Sequence, residues 1–179
     1  MIISYEKQIL GVAFAASAAL TTILATVPSW SAVFNALGRI GYSTLSDKLQ
    51  QRNTVYMIIF STSILFSMFV FGSNAIYSEG LLFSILVIAF LFVSNAGYGG
   101  GFSTLPALLS ERFGMNSISQ IHGLTLSAWA IAGLTGNNTS EIILSSGGNY
   151  TTVITIGALL YVIAIIICSL IVGKKPKEI

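Results

Sequence analysis

Three stretches of this chain, residues 54–71, 81–109 and 152–172, contain no charged side chain at all. A helix crossing the roughly 30 Å hydrocarbon layer of a bilayer needs about 17–25 predominantly apolar residues, and each stretch is that long. Two further segments extend the pattern. Between Lys7 and Asp47 the only charged residue is Arg39, and residues 119–144 contain only Glu141. Charged residues make up 8% of the chain and hydrophobic ones 54%, whereas a soluble domain carries about 25% charged residues. So few charges cannot cover a water-facing surface, so the excess apolar side chains are expected to face lipid. The expected fold is an all-α, polytopic membrane protein of about five helices, with spans near residues 10–46, 54–72, 81–109, 119–144 and 152–172. The first stretch is long for one crossing, and Pro28 is the natural place for a bend or for a short luminal segment before the helix.

The connections set the orientation. Lys48 and Arg52 fall in the first, Arg112 in the third, and Lys174, Lys175 and Lys177 in the tail. The second and fourth carry Glu79 and Glu141 and no basic residue. Basic loops stay in the cytoplasm, which puts the C-terminus inside and, with an odd number of spans, the N-terminus outside. The start, Met1 to Lys7, is apolar and then polar, unlike the basic opening of a signal peptide. Cys168 is the single cysteine, so no intrachain disulfide forms. The net charge of +2 has no basic stripe to grip nucleic acid. His122, the single histidine, has no neighbouring Cys or carboxylate pattern and makes a metal site or cofactor improbable.

Arg39 is the most informative residue. It lies eight positions before Asp47, which marks the inner membrane surface, and so sits about 12 Å deep, close to the midplane. Arginine at that depth costs at least about 2.5–3.5 kcal/mol on insertion scales, so it needs a partner or a wet cavity. No acid falls at usable depth inside an expected span to pair with it, and its planar fork of donors matches the two oxygens of a carboxylate. The competing reading is a structural ion pair or a carbonyl-bonded packing residue.

Three blocks carry a family resemblance. They are Asn35-Ala36-Leu37-Gly38-Arg39 with Leu45-Ser46-Asp47-Lys48; Tyr98-Gly99-Gly100-Gly101 running to Leu109; and Ile121-His122-Gly123-Leu124 with Ser127-Ala128-Trp129 running to Gly136. In this order the chain resembles the C-terminal half of a major facilitator carrier, and more narrowly the oxalate/formate antiporter family, whose eighth helix reads N-x-x-G-R and then L-S-D-[KR]. It departs from the family at Ser43, Gln50, Gln51 and Asn137. The resemblance implies transport of small carboxylates by alternating access in the cell membrane, without a cofactor or enzymatic turnover. Residues 1–179 would form the C-terminal half-bundle, with a missing N-terminal half as partner and Met1 to Ser4 as the end of the preceding helix. A non-transporting scaffold or regulatory subunit of the same fold is the alternative.

The resemblance makes Arg39 a substrate-binding residue. Some oxalate carriers of the family have a lysine where this chain has Trp129. A single cation suits a monocarboxylate such as formate, lactate or pyruvate better than a dianion, while Trp129 is either a pocket wall or lipid-facing bulk. Tyr98 and its glycines either let helices approach closely or form an unwound turn beside a cavity, where the Tyr98 hydroxyl would bond a carboxylate. Asp47, Lys48 and Arg52 form the inner-face loop that locks one access state in this superfamily. Glu111 and Arg112 are candidates for the same network, and the plain alternative for Arg52 is a topology signal alone. His122 is a candidate for proton coupling, set against a satisfied packing or capping histidine.

Overall fold

The computed structural model describes residues 3–13, 21–49, 51–72 and 81–172, and every regular element within them is a helix. The order is α1 (Glu6–Ala13), α2 (Thr21–Lys48), α3 (Asn53–Gly72), α4 (Leu81–Phe113), α5 (Ile118–Ser145) and α6 (Tyr150–Val172), with short 3-10 turns at Ile3–Tyr5 and Met115–Ser117. The described part of the long first stretch therefore holds two helices, and Pro28 lies inside α2 instead of ending it. Glu111 and Arg112 belong to the last turn of α4, and Glu141 to the last turns of α5. Glu79 and the lysines of the tail lie outside the described residues.

Local chemistry explains the ends. Gly114, at φ 75°, stops α4, and its amide still bonds the Ser110 carbonyl at 3.0 Å. Gly147, at φ 84°, closes α5, with the next amide, of Gly148, on the Ile143 carbonyl at 2.8 Å; this backbone region is open chiefly to glycine. Asn149 then caps α6, its Oδ1 accepting from the Thr152 amide at 3.0 Å.

Helices α3, α4 and α6 are long and apolar enough to cross a membrane, over Asn53–Val70, Ser84–Phe113 and Tyr150–Leu170. Helices α2 and α5, with 28 residues each, are about 42 Å long, but their Ser, Thr, Asn and Gly content leaves them less apolar.

Helix α4 is the axis of the bundle, and its glycine-rich run stays helical throughout. One face meets α2 with almost no side chain between the backbones. A β-carbon on Gly38 would overlap the Ala96 backbone, one on Gly99 the Asn35 backbone, and one on Gly100 the Tyr42 ring. At this spacing polar groups bond directly across the seam: Asn35 Nδ2 to the Asn95 carbonyl at 3.2 Å and Ser43 Oγ to Ser103 Oγ at 2.8 Å. Small residues permit such approach where no hydrophobic effect drives association. A second face of α4 meets α3 through Gly97 on Ile59 and through Tyr56, whose hydroxyl donates to the Gly101 carbonyl at 2.7 Å. Helix α6 packs on the far side of α3, with Phe60 and Tyr161 stacked 5.8 Å apart and Asn53 Nδ2 on the Cys168 carbonyl at 2.9 Å. Helix α5 is held thinly: Ser140 is its one buried residue.

At one end, Ile9 and Leu10 of α1 are buried with Val27, Val70, Val87, Phe90, Leu91 and Ile154. Glu6 shares their helix face by its three- and four-residue spacing, so burying this pair carries Glu6 into the bundle.

The α2–α4 seam yields the first prediction. Gly99→Leu should cost about 1–3 kcal/mol by overpacking and lower the thermal unfolding midpoint in detergent. Gly41→Ala, with open space around its Cα, should leave that midpoint unchanged or raise it.

Candidate functional site

Four-residue spacing places Ser31, Asn35 and Arg39 on one face of α2. This row, Asn95 and Tyr98 of α4, and Glu6 of α1 together build a polar centre. A cavity of about 310 Å³ is lined by Ile3, Glu6, Pro28, Ser31, Ala32, Asn35, Asn95 and Tyr98. Glu6 and Ser31 are buried, and the Ser31 hydroxyl donates to Glu6 Oε1. Asn35 links the cavity to the arginine: its Oδ1 accepts from Arg39 Nε at 3.2 Å while its Nδ2 donates across the seam to Asn95. Arg39 is exposed one turn beyond the lining, and its carbonyl accepts from Ser103 Oγ at 3.1 Å. Among the described residues its Nη atoms have neither a hydrogen bond nor an ion pair.

Tyr98 and Trp129 meet on the third face of α4. Trp129 Nε1 donates to the Tyr98 hydroxyl oxygen at 3.1 Å, which leaves the hydroxyl proton free for another acceptor. Phe102 completes the cluster, 5.3 Å from each ring and edge-on to the indole. Two sequence-expected residues, Tyr98 and Trp129, are thus in direct contact. Tyr98 lines the same cavity as Asn35, through which Arg39 is attached.

The residues expected at the inner face form a separate group. Arg52 Nη1 bonds Asp47 Oδ1 at 2.6 Å and Ser46 Oγ at 3.1 Å, and Arg52 Nε faces Glu111 Oε2 at 3.4 Å. Arg52, grouped with Asp47 and Lys48 from the sequence and with a topology signal alone as the plain alternative, joins the α2–α3 turn to the end of α4. Lys48 is exposed and forms no ion pair among the described residues. His122 is half-buried near the start of α5, with Nδ1 buried and without a hydrogen-bond partner among the described residues.

Sequence reasoning missed Glu6, Ser31, Asn35 and Asn95 as cavity residues. The available signal was the spacing of Glu6 to Ile9 and Leu10, an acid on the apolar face of a helical turn. No family model, curated protein or solved structure matches this chain.

The Arg52 pairs are partly exposed, at 29% for the Arg52 side chain and 69% for Asp47, where pairs contribute little to stability. A double-mutant cycle of Arg52→Ala with Glu111→Gln should therefore return a coupling energy below about 1 kcal/mol, and added salt should erase it in thermal unfolding.

Proposed function

We propose that this chain is one half of a membrane carrier for small carboxylates, with monocarboxylates such as formate, lactate or pyruvate as the substrate class. Its five long helices cross the bilayer with the Asp47–Arg52–Glu111 end and the C-terminus in the cytoplasm, in the cell membrane. The observation that carries this reading is the Arg39 guanidinium, held by Nε on Asn35 with both Nη atoms open beside a polar cavity. A carboxylate accepts two parallel bonds from such a fork, and the Tyr98 hydroxyl supplies a further donor. The cavity holds one carboxyl group and adjoins one guanidinium, so a second negative charge on the substrate would go unmatched; this favours a monoanion over oxalate.

The outer surface supports the membrane reading. Large apolar side chains, among them Leu160, Ile163, Ile167 and Leu170 of α6 and Leu65 and Met68 of α3, face outward. Buried hydroxyls bond carbonyls of their own helix, as Ser63 does to Ile59 at 2.8 Å and Ser67 to Ser63 at 2.7 Å, which is how polar groups are accommodated away from water. A second half-bundle would close the cavity from the opposite side, and alternating access would be rocking of the two halves around it. The chain alone is then inactive in transport, and saturable carboxylate uptake into vesicles containing only this polypeptide would overturn that statement. The alternative is a non-transporting scaffold derived from such a carrier.

Titration calorimetry of the full chain in lipid nanodiscs with lactate and with formate separates the two. Arg39→Ala should weaken binding by about 1 kcal/mol, the scale expected for an exposed charge pair. Arg39→Lys should keep part of the affinity, since it retains the charge and loses the fork. Equal binding by wild type and Arg39→Ala would favour the scaffold.

A further inference from the structure

We propose that the cavity at Glu6 binds the ammonium group of a small organic amine, with the Glu6 carboxylate as its counter-charge. This site is independent of the carboxylate reading above and of Arg39. Glu6 is 7% exposed and its hydrogen-bond partner Ser31 2%, and an ionised carboxylate so placed needs a compensating charge. Among the described residues none supplies it: Glu6 belongs to neither ion pair, and Lys7 beside it is exposed. The carboxylate lines an open cavity instead of a sealed core, so a cation from the surroundings can reach it.

The neighbours of Glu6 are those of an ionised acid. The Ser31 hydroxyl donates to Glu6 Oε1. The Asn95 amide places one hydrogen on the Leu91 carbonyl at 3.0 Å and also bonds the same carboxylate. A primary ammonium carries three N–H donors, as a lysine head does. The Glu6 carboxylate, the Ser31 hydroxyl oxygen and the Asn95 side-chain oxygen are the acceptors this wall offers them.

The rest of the lining selects an organic cation over a bare metal ion. Hard divalent cations take a shell of about six to eight oxygens. Here Ile3, Pro28 and Ala32 are apolar, and Asn35 is committed, its amide to the Asn95 carbonyl and its oxygen to Arg39 Nε. Tyr98 adds an aromatic wall, braced by Phe102 at 5.3 Å and by the Trp129 indole on its hydroxyl. Such walls cover an alkyl chain and leave a dehydrated metal ion without ligands. At about 310 Å³ the cavity stands at the small end of organic-ligand pockets, about 300–1,000 Å³, which suits an amine of a few carbons.

Equilibrium dialysis of radiolabelled propylamine, at neutral pH, against the full chain in phosphatidylcholine nanodiscs tests the site. Wild type should retain the amine saturably. Unlabelled 1-propanol, of the same size and without charge, should not displace it, and neither should sodium chloride at equal concentration. Glu6→Gln should weaken retention by at least about tenfold, the scale of a hydrogen bond to a charged group, and Glu6→Asp should recover part. Glu141→Gln, which removes an exposed acid of α5, should bind as wild type does.

No saturable retention by wild type, or equal retention by Glu6→Gln, overturns the proposal. Displacement by 1-propanol overturns it in favour of a plain apolar slot, and displacement by sodium in favour of an inorganic cation. Where Glu6→Gln fails to fold, the two competitions on wild type still decide. The lactate and formate titrations report on Arg39 separately. Anion binding without propylamine retention overturns this site alone, and the reverse overturns the carboxylate reading alone.

Discussion

The close approach of α2 and α4 governs the rest of the molecule. Glycines at 38, 99 and 100 remove the side chains that normally hold two helices apart, and the backbones meet almost directly. At that separation Asn35 can reach the Asn95 carbonyl and Ser43 can reach Ser103. The same contact fixes the rotation of α4. With one face committed to α2, Gly97, Gly101 and Thr104 turn to α3, and Tyr98 and Phe102 turn to α5. The polar row of α2 then lies beside the polar residues of α4, and the cavity occupies the place where these rows diverge.

The sequence disclosed the helical class and the positions of α3, α4 and α6 because long charge-free stretches admit few other structures. Interior geometry was less legible. The segment from Tyr98 to Gly101 read first as a packing surface and second as an unwound turn, since glycine permits both; its partner helix decides, and Gly38 and Tyr42 are distant in sequence. Pro28 read as a bend or as the neighbourhood of a short segment before the helix, and it lies inside the continuous helix α2. Arg52 could be read as an inner-face partner or as a topology signal alone, because its acids, Asp47 and Glu111, belong to different elements.

The candidate centre was legible in Arg39 and not in Glu6. Arg39 announces itself by lying alone within a long uncharged run. Glu6 sits beside Lys7 in a short polar opening that resembles an ordinary solvated end. What draws it inward is the burial of Ile9 and Leu10 beneath Phe90 and Leu91, a long-range contact that no local pattern states. Neutral bridging residues are harder still to recognise. Asn35 carries no charge, yet its amide holds Arg39 with one atom and α4 with another.

Trp129 gives the cavity an optical reporter. The chain has two tryptophans, and Trp30 lies on the outward side of α2, 55% exposed. Trp129 is bonded through its indole nitrogen to the Tyr98 hydroxyl that lines the cavity. Indole emission depends on the polarity and hydrogen bonding around its ring. With Trp30 replaced by phenylalanine, the remaining fluorescence would come from a chromophore one hydrogen bond away from any occupant, and filling of the cavity would be visible as a change of colour in an unlabelled protein.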